Sequence, residues 1–253
     1  MLIAQITDTH IVPKTKCWKG DSKAMTAQRL QLIVRHINAL QHKPDLVIHT
    51  GDIVDKGDVE SYIHAKELLD ELDSKYFLAC GNHDDFSNLK HIFTKHAYLS
   101  DGRFAHYVID HLPVRVIVLD TQIKGEEYGK LCASRKKWLA ETLDKSKKDT
   151  MIFLHHFPIT VRDQILNDIK LLEKEDLLEI LSRYENILGL YCGHYHYAAA
   201  GLFANKMCWV SPSSAPAYMF QDNQVIGLNY AQPGYSLHYC NNGQVTSHVI
   251  TVG

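Results

Sequence analysis

Residues 2–10 have the sequence LIAQITDTH, in which the apolar run 2–6 is followed at once by Asp8 and His10. A short apolar run of this kind predicts a buried strand, and the polar residues after it predict a loop at the strand's end. Most of the other polar clusters along the chain also follow short apolar runs: Thr50-Gly51-Asp52, Gly81-Asn82-His83-Asp84, His155-His156-Phe157-Pro158 and Gly193-His194-Tyr195-His196. Because the carboxyl ends of adjacent parallel strands meet at one edge of a sheet, we expect the clusters to converge there.

The five clusters contain the residue types that bind metal ions in proteins. Seven of these side chains are the candidate ligands: Asp8, His10, Asp52, Asn82, His155, His194 and His196. A single ion needs about three or four protein ligands, so seven ligands with one shared carboxylate suit two ions. The set mixes imidazole and oxygen donors without thiolates, which favours manganese, iron, zinc or cobalt over a structural zinc site.

In this order, the clusters resemble the motifs D-x-H, G-D, G-N-H-D/E, H and G-H-x-H of the calcineurin-like metallophosphoesterases. The resemblance runs from residue 2 to about residue 196. Within that superfamily the chain is similar to the bacterial class III 3′,5′-cyclic-nucleotide phosphodiesterases and the related glycerophosphodiesterases. Three pieces carry this narrower resemblance: residues 5–10, residues 81–85, and the tail with Pro212-Ser213-Ser214 and Pro233-Gly234-Tyr235.

The resemblance implies a role for each ligand-type residue. One ion would be held by Asp8, His10 and His196, the other by Asn82, His155 and His194, and Asp52 would bridge them. Iron and manganese are the preferred ions, with zinc or cobalt as alternatives. The substrate phosphate would contact Asn82, His83 and His196. The resemblance also makes His83 the catalytic acid that protonates the leaving oxygen, a task suited to the unperturbed imidazole pKa of about 6.5.

The implied reaction is hydrolysis of a small phosphodiester by attack of metal-bound hydroxide, with 3′,5′-cyclic AMP as the preferred substrate. A glycerophosphodiesterase, or a broad-specificity phosphoesterase, is the alternative. The glycerophosphodiesterases tend to carry a further histidine where this chain has Ala215-Pro216-Ala217. This difference favours a cyclic nucleotide as the substrate. A non-catalytic protein-binding scaffold is a more distant alternative, because such proteins usually lose ligands and this chain keeps all seven.

Several residues near the clusters have more than one interpretation. We expect His156 to be a neighbour of the site, and Asp55 to be either a supporting residue or a solvated loop carboxylate. Asp84 would either orient His83 or cap a helix over residues 86–96. We expect His49 and Asp120 to be either structural or residues that support the ligands, and the loop 125–129 could border the substrate pocket. Three tyrosines are candidates for stacking on a base: Tyr195, Tyr197 and Tyr218.

Apolar periodicity predicts an α/β fold with a β-rich end over residues 198–253, organised as one domain over 1–253. Helices are expected over 25–40, 58–72, 135–145 and 169–184. Strands are expected over 2–6, 46–49, 76–79, 104–109, 114–119, 151–154 and 187–191, with shorter strands and a turn at 241–243 beyond them. The family resemblance implies the specific arrangement, a four-layer sandwich of two mixed β-sheets flanked by helices.

The amino-acid composition limits the kinds of molecule that the chain is expected to bind. The formal net charge is −2, so the chain lacks the basic excess with which proteins bind nucleic acids or anionic membranes. The six cysteines form no C-x-x-C pair, which is typical of reduced thiols. The apolar start is too short for a secretory signal, and no run approaches the roughly 20 apolar residues of a membrane span. We therefore expect a cytoplasmic enzyme that binds a small phosphodiester and could form a homodimer.

Overall fold

The computed structural model describes residues 1–99, 102–222 and 224–253. Its strands are β1 (Leu2–Ile6), β2 (Leu46–His49), β3 (Tyr76–Leu78), β4 (Tyr107–Ile109), β5 (Arg115–Leu119), β6 (Thr150–Leu154), β7 (Ile187–Cys192), β8 (Ala199–Phe203), β9 (Lys206–Val210), β10 (Ala217–Gln221), β11 (Gln224–Asn229), β12 (Gly234–Asn241) and β13 (Gln244–Thr251). Its helices are α1 (Thr26–Ala39), α2 (Val59–Leu69), α3 (Phe86–Ile92), α4 (Ala133–Asp144), α5 (Gln164–Ile169) and α6 (Glu175–Ser182), with short 3-10 turns at Trp18–Gly20 and Ala97–Leu99.

Over the described residues the strands form two large mixed sheets and a separate hairpin. The first sheet has the order β13-β12-β1-β2-β3, the second has the order β4-β5-β6-β7-β9-β8, and β10 pairs with β11. In the first sheet β1 is parallel to β2 and antiparallel to β12. In the second, β5, β6 and β7 are parallel neighbours. The strands that carry the polar clusters therefore run the same way within each sheet, and β3 is at one edge of the first sheet.

Side-chain alternation along β5 shows how the layers pack. Val116 and Val118 lie in the core shared with β1, β2 and the helices α1 to α3. Ile117 and Leu119 lie in the second core, with α4, α5 and α6. Successive side chains of a strand point to opposite faces, so the second sheet packs against the first on one face and against helices on the other. This confirms the expected arrangement of two mixed sheets flanked by helices.

Two parts of the chain differ from the expected elements. The helix predicted over 169–184 is confirmed only over Glu175–Ser182, because α5 ends at Ile169 and α6 begins only at Glu175. Between them Leu171 donates its backbone N–H to Phe157, and Leu172 donates to Gly129, so this stretch bonds to loops instead of forming a helical turn. The hairpin of β10 and β11 was not predicted.

The C-terminal strands complete the first sheet. The turn predicted at 241–243 is confirmed, since Asn242 and Gly243 have φ of +48° and +75° between β12 and β13. Positive φ at both central residues matches the twist of a two-residue hairpin. Across the described residues, none of the helices combines the length and the apolar character needed to cross a bilayer. The single-domain organisation stays a prediction.

Candidate metal centre

The predicted ligand residues converge at the carboxyl ends of β1, β2, β6 and β7 and on the loop after β3. Most of their side chains are buried, although Asn82 is half-buried. Five of them have positive φ, a conformation that residues other than glycine rarely adopt: Asp8, His10, Asp52, His194 and His196. Backbone strain of this kind concentrates at functional sites, where the surrounding structure enforces it.

The first group of ligand-type atoms comes from β1, β2 and β7. The Nε2 atoms of His10 and His196 are 3.0 Å apart. His196 Nε2 is 3.7 Å from the Asp8 carboxylate, and His10 Nε2 is 3.5 Å from Asp52 Oδ2. The Asp8 carboxylate also accepts the backbone N–H of His194 at 2.9 Å, which fixes its orientation across the two sheets. Four side chains from both sheets thus point their donor atoms at one small volume.

The second group lies beside the first and shares Asp52 with it. His155 Nε2 is 3.1 Å from Asn82 Oδ1 and 3.1 Å from His194 Nδ1. The same Nε2 is 3.4 Å from Asp52 Oδ2. Asp52 Oδ2 therefore lies between the two groups and is within reach of both.

The donor sets of both groups fit divalent ions. Two ligand atoms that each lie about 2.0–2.2 Å from one ion are separated from each other by roughly 3–4 Å, which is the spacing found here. Buried carboxylates and imidazoles in such contact are unfavourable unless a proton or a cation lies between them. The residues present fit two ions that share one carboxylate, a candidate binuclear site. The individual ligand roles stay predictions.

Burial and neighbouring charges shift the pKa values of Asp52 and of three histidines at the site. Burial acts to raise the pKa of Asp52, but nearby imidazoles, His155 first, hold it well below its usual range. Burial acts to lower the pKa of His155, yet the Asp52 charge outweighs it and raises the pKa to about 9. Burial lowers the pKa of His194 to about 3 and that of His196 well below the ordinary value. Ionised carboxylates and neutral imidazoles are the forms that ligate metals, and a cation would take the place of the proton on His155.

Two glycines allow the strand ends to approach this closely. A Cβ on Gly81 would lie 2.2 Å from Asp52 Oδ1, and one on Gly193 would lie 1.9 Å from the Thr7 hydroxyl oxygen. Neither position has room for a larger residue without displacing a neighbouring segment of the site. The motif glycines are therefore required by packing between the clusters.

His83 lies at the mouth of the site and has one free ring nitrogen. Its backbone N–H donates to Asp52 Oδ1 at 2.9 Å, and its Nδ1 donates to the Asp55 carbonyl at 2.7 Å. Burial acts to lower its pKa, but the charges of Asp52 and Asp55 outweigh burial and raise it. The Nε2 atom has no hydrogen-bond partner within the described residues, and His83 lines a cavity over the metal groups. The geometry leaves Nε2 available to a ligand.

Both interpretations of Asp84 are wrong. Its carboxylate accepts hydrogen bonds from Gly81 N at 2.9 Å and from the Tyr62 hydroxyl at 2.9 Å, and weaker ones from Ile53 N and Val54 N. Burial raises its pKa to about 6. Helix α3 is capped instead by the neighbouring Asp85, which accepts from the backbone of residues 87 and 88. Asp84 therefore ties together the loops that carry Asp52 and Asn82.

The other residues with open roles mostly support the site. Asp55 accepts the Trp18 indole N–H at 2.7 Å, and its carboxylate lies 3.6 Å from His10 Nδ1. His49 contacts the Thr9 hydroxyl at 3.0 Å. Asp120 forms a buried ion pair with Arg135. These contacts place Asp55 beside the site, while His49 and Asp120 support the loops behind it.

The His156 ring lies near His155 and His194, beside the second group of ligand atoms. Its Nδ1 contacts the Thr121 hydroxyl at 2.7 Å, and its Nε2 donates to the Glu127 carbonyl at 3.2 Å. Both ring nitrogens are thus engaged by protein atoms. The expected position next to the ligands agrees with this geometry, and the loop 125–129 does reach the cavity through Glu127.

The cavity over the metal groups has a volume of about 230 Å³. Of the three tyrosines considered for stacking, Tyr218 lines it and lies 4.9 Å from the His196 ring. Tyr195 is fully buried, with its hydroxyl donating to Leu166, so its predicted stacking role is wrong. Tyr197 is half-buried against Tyr195 and Phe220 and is outside the cavity lining.

Sequence reasoning missed two supporting side chains. Gln122 donates from Nε2 to the carbonyl oxygens of Gly81 and Asp84, so it braces the loop that carries Asn82 and His83. Trp18 packs 5.2 Å from the His10 ring and is stacked 6.1 Å from that of His196. Both lie in segments without a regular pattern, and no periodic signal marks them.

Comparisons with known proteins agree with this geometry. The family model described as calcineurin-like phosphoesterase matches residues 1–198. A relative from Arcobacter nitrofigilis, named probable glycerophosphodiester phosphodiesterase, is 35% identical over 100% of this chain and 94% of its own length. A 3′,5′-cyclic adenosine monophosphate phosphodiesterase from Vibrio vulnificus is 26% identical over 98% of this chain and 88% of its own length. Among solved structures, a dimetal phosphatase from Danio rerio has the same fold, with a TM-score of 0.71 at 14% identity over 100% of this chain and 99% of that one.

Proposed function

This chain belongs to the calcineurin-like phosphoesterase family, and we propose that it is a metal-dependent hydrolase of small phosphodiesters. The observation that carries the proposal is the position of Asp52 Oδ2, which lies 3.5 Å from His10 Nε2 and 3.4 Å from His155 Nε2. A carboxylate oxygen shared by two donor groups suits a two-ion site. The names of the relatives, which include phosphodiesterases of two kinds, support a diester as the substrate.

We assign each ligand-type residue the role that the family resemblance implies. One ion would be bound by Asp8, His10 and His196, the other by Asn82, His155 and His194, with Asp52 between them. When bound, the two ions supply charge neutralisation for the phosphate and an acidified water as nucleophile. The neutral amide of Asn82 adds no negative charge beside the phosphate. Iron and manganese stay the preferred ions.

His83 acts as the acid for the leaving alcohol. Its Nδ1 is held by the Asp55 carbonyl at 2.7 Å, which turns Nε2 toward the cavity. The negative charges of Asp52 and Asp55 favour the imidazolium form of His83, the form able to donate a proton. Leu166 and Ile169 add apolar surface to one side of the cavity.

Two classes of alcohol are candidates. Cyclic AMP stays a prediction, supported by the relative from Vibrio vulnificus and by the exposed face of Tyr218 in the cavity. A glycerol diester is supported by the 35% identity over the whole chain to the relative from Arcobacter nitrofigilis. Both contain the same phosphodiester group, which the metal site would recognise in the same way.

A steady-state comparison tests the proposal. Protein loaded with manganese would be given 3′,5′-cyclic AMP, 2′,3′-cyclic AMP, glycerophosphoethanolamine and bis(p-nitrophenyl) phosphate. We expect metal-dependent hydrolysis of at least the generic diester, together with one natural diester whose kcat/KM exceeds that of the others. Failure to hydrolyse any of the four, by a protein that holds two equivalents of metal, would overturn the enzymatic proposal.

A further inference from the structure

The loop of residues 213–216, which joins β9 to β10, lies against the first group of ligand residues. The backbone N–H groups of its second and third residues donate to the carbonyl oxygens of Thr7 and Asp8, each at 3.0 Å. The hydroxyl of its first residue, Ser213, donates to the His196 carbonyl at 3.1 Å. These bonds hold two backbone segments at which a ligand residue has positive φ, Asp8 in one and His196 in the other.

The 213–216 loop also orients a ligand ring. His196 donates from Nδ1 to the carbonyl of Pro216, the last residue of the loop, at 3.2 Å. This bond leaves Nε2 of His196, which lies 3.0 Å from His10 Nε2, as the ring atom free to bind an ion. A histidine that binds a metal usually donates its other ring nitrogen in this way, and the loss of such a partner weakens metal binding by about 10–100-fold.

The second group of ligands is held by different contacts. His155 donates from Nδ1 to the Thr50 carbonyl at 2.8 Å, and His194 donates from Nε2 to the Ile169 carbonyl at 2.9 Å. Neither contact involves the 213–216 loop. A displacement of this loop should therefore affect the two groups unequally, with the larger effect on the group that contains His196.

A buried arginine of α1 holds the loop in place. Arg29 donates from Nε to the Ser214 carbonyl at 2.6 Å, and one of its terminal nitrogens makes a weaker bond to the Tyr230 carbonyl at 3.4 Å. The side chain is buried, and it forms no ion pair with any residue that the structure describes. Burial lowers its pKa to about 10. A buried cation without a carboxylate partner costs free energy that an apolar side chain would not, which points to a role other than packing.

We propose that Arg29 is a positioning residue for metal binding, which acts through the 213–216 loop on Asp8 and His196 and so sets the affinity of one ion of the pair. The ion concerned is the one assigned to the first group of ligands. The inference rests on the proposed function, because it assigns a role at the same metal site. Arg29 itself touches neither the ion nor the substrate.

Three variants test this role by equilibrium dialysis against manganese with elemental analysis. Arg29→Met keeps a long side chain but removes the charge and the donors, so the affinity for one ion should fall by about 10–100-fold while the other stays nearly unchanged. Arg29→Lys keeps the charge and one donor group, and it should lose less affinity at the same ion. The matched control is Arg35→Met, at an exposed arginine of the same helix, and it should bind two ions as the wild type does.

Tryptophan fluorescence shows which ion is weakened. The Trp18 ring lies 5.2 Å from the His10 ring and 6.1 Å from the His196 ring, both in the first group. A paramagnetic cobalt ion bound there should therefore quench the emission of Trp18, and Trp18→Phe identifies that part of the signal. In Arg29→Met the quenching should require about 10–100-fold more cobalt.

Equal weakening of both ions in Arg29→Met would overturn the inference, because Arg29 would then act only through general stability. Wild-type affinities with a lower melting temperature would overturn it as well. If Arg29→Met does not fold, Arg29→Lys takes its place, and wild-type affinities in that variant would overturn the inference.

The wild type separates this inference from the proposed function. If it binds two ions and hydrolyses bis(p-nitrophenyl) phosphate while the variants at position 29 keep both affinities, only the role of Arg29 fails. A wild type that binds fewer than two ions would overturn both proposals.

Discussion

The backbone N–H of His83 donates a hydrogen bond of 2.9 Å to Oδ1 of Asp52, while Oδ2 of the same carboxylate lies between the two groups of metal-ligand atoms. The position of the proposed acid is therefore set by the residue proposed to bridge the ions. This contact also brings the Asp52 charge close to the imidazole, which contributes to its raised pKa. Metal binding and proton donation are thus coupled through one side chain.

Replacing Asp52 should abolish both tight metal binding and phosphodiester hydrolysis. In Asp52→Ala each group loses its shared oxygen, so we expect less than one equivalent of tightly bound metal and the loss of phosphodiesterase activity. Metal content by elemental analysis, measured with kcat/KM for bis(p-nitrophenyl) phosphate, checks this. The control is Asp73→Ala, an exposed aspartate that pairs with Lys43 and should leave both values unchanged. Full metal occupancy in Asp52→Ala would contradict the bridging role.

Replacing His83 should slow hydrolysis without releasing the metal. His83→Ala removes the proposed acid but none of the proposed metal ligands, so metal content should be kept while kcat falls by about 10²–10⁴-fold. The control is His91→Ala, an exposed histidine of α3. If His83 is the acid, the alkaline decline of wild-type kcat/KM that follows the loss of its proton should be missing from His83→Ala. Metal loss in His83→Ala would show that the assigned role is wrong.

Removing the Tyr62 hydroxyl should destabilise the loops of the site. This buried hydroxyl donates to Asp84 and accepts the backbone N–H of Asp85, each at 2.9 Å. In Tyr62→Phe both partners lose a hydrogen bond in the interior, so the free energy of unfolding should fall by about 1–3 kcal/mol. Urea denaturation measures it. Tyr239→Phe, at a half-exposed position, should change the free energy by less than about 0.5 kcal/mol.

Gly193 gives a test of close packing between clusters. A Cβ there would lie 1.9 Å from the Thr7 hydroxyl oxygen but 3.1 Å from the Thr7 Cβ. We therefore expect Gly193→Ala to lower the melting temperature and the metal content, and the double variant Gly193→Ala with Thr7→Ala to recover part of both. A double-mutant cycle measures this coupling. Additive effects of the two substitutions would contradict the proposed clash.

His238 should make stability depend on pH. It is buried in the first sheet between Gln5 and Ser247, and burial lowers its pKa to about 3, against 6.5 in the unfolded chain. The unfolded chain then binds one more proton between these values. Above pH 6.5 the titration of His238 does not reduce the free energy of unfolding. As the pH drops from 6.5 toward 3, this free energy falls by about 1.4 kcal/mol per pH unit.

Urea unfolding from pH 4 to 8 measures this dependence. Other buried histidines contribute to the wild-type slope, so the comparison with His238→Gln isolates one proton. The variant should be less stable at neutral pH and should lose stability less steeply in acid. Equal slopes for the two proteins would contradict a neutral, buried His238.

The ligand clusters could be recognised from sequence because each follows a strand. Apolar runs mark where the strands end, and the ends of parallel strands lie together at one edge of the sheet. The choice between Asp84 and Asp85 could not be made in this way. Both are acids before a helix, and only the fold shows that Asp84 points inward to Tyr62 while Asp85 caps α3. Their different roles follow from tertiary contacts, which a local pattern does not contain.

The substrate cavity was even less predictable. Its outer wall comes from α5 and from the hairpin of β10 and β11, the two regions where element assignment from sequence failed. Ile165 and Val225 are both partly exposed, so they lack the buried periodicity by which core residues are recognised. Gln122 acts through its contacts to backbone carbonyls and carries no motif.

The pairing of β1 with β12 has a consequence for synthesis. The strand that leads to Asp8 lies between β2 and β12, and Leu2 pairs with Tyr239. At about 5–20 residues per second, translation reaches β12 roughly 10–50 s after β1. During that interval one edge of β1 has no partner, and unpaired strand edges promote aggregation. We therefore expect the nascent chain to depend on ribosome-associated chaperones until its last strands emerge.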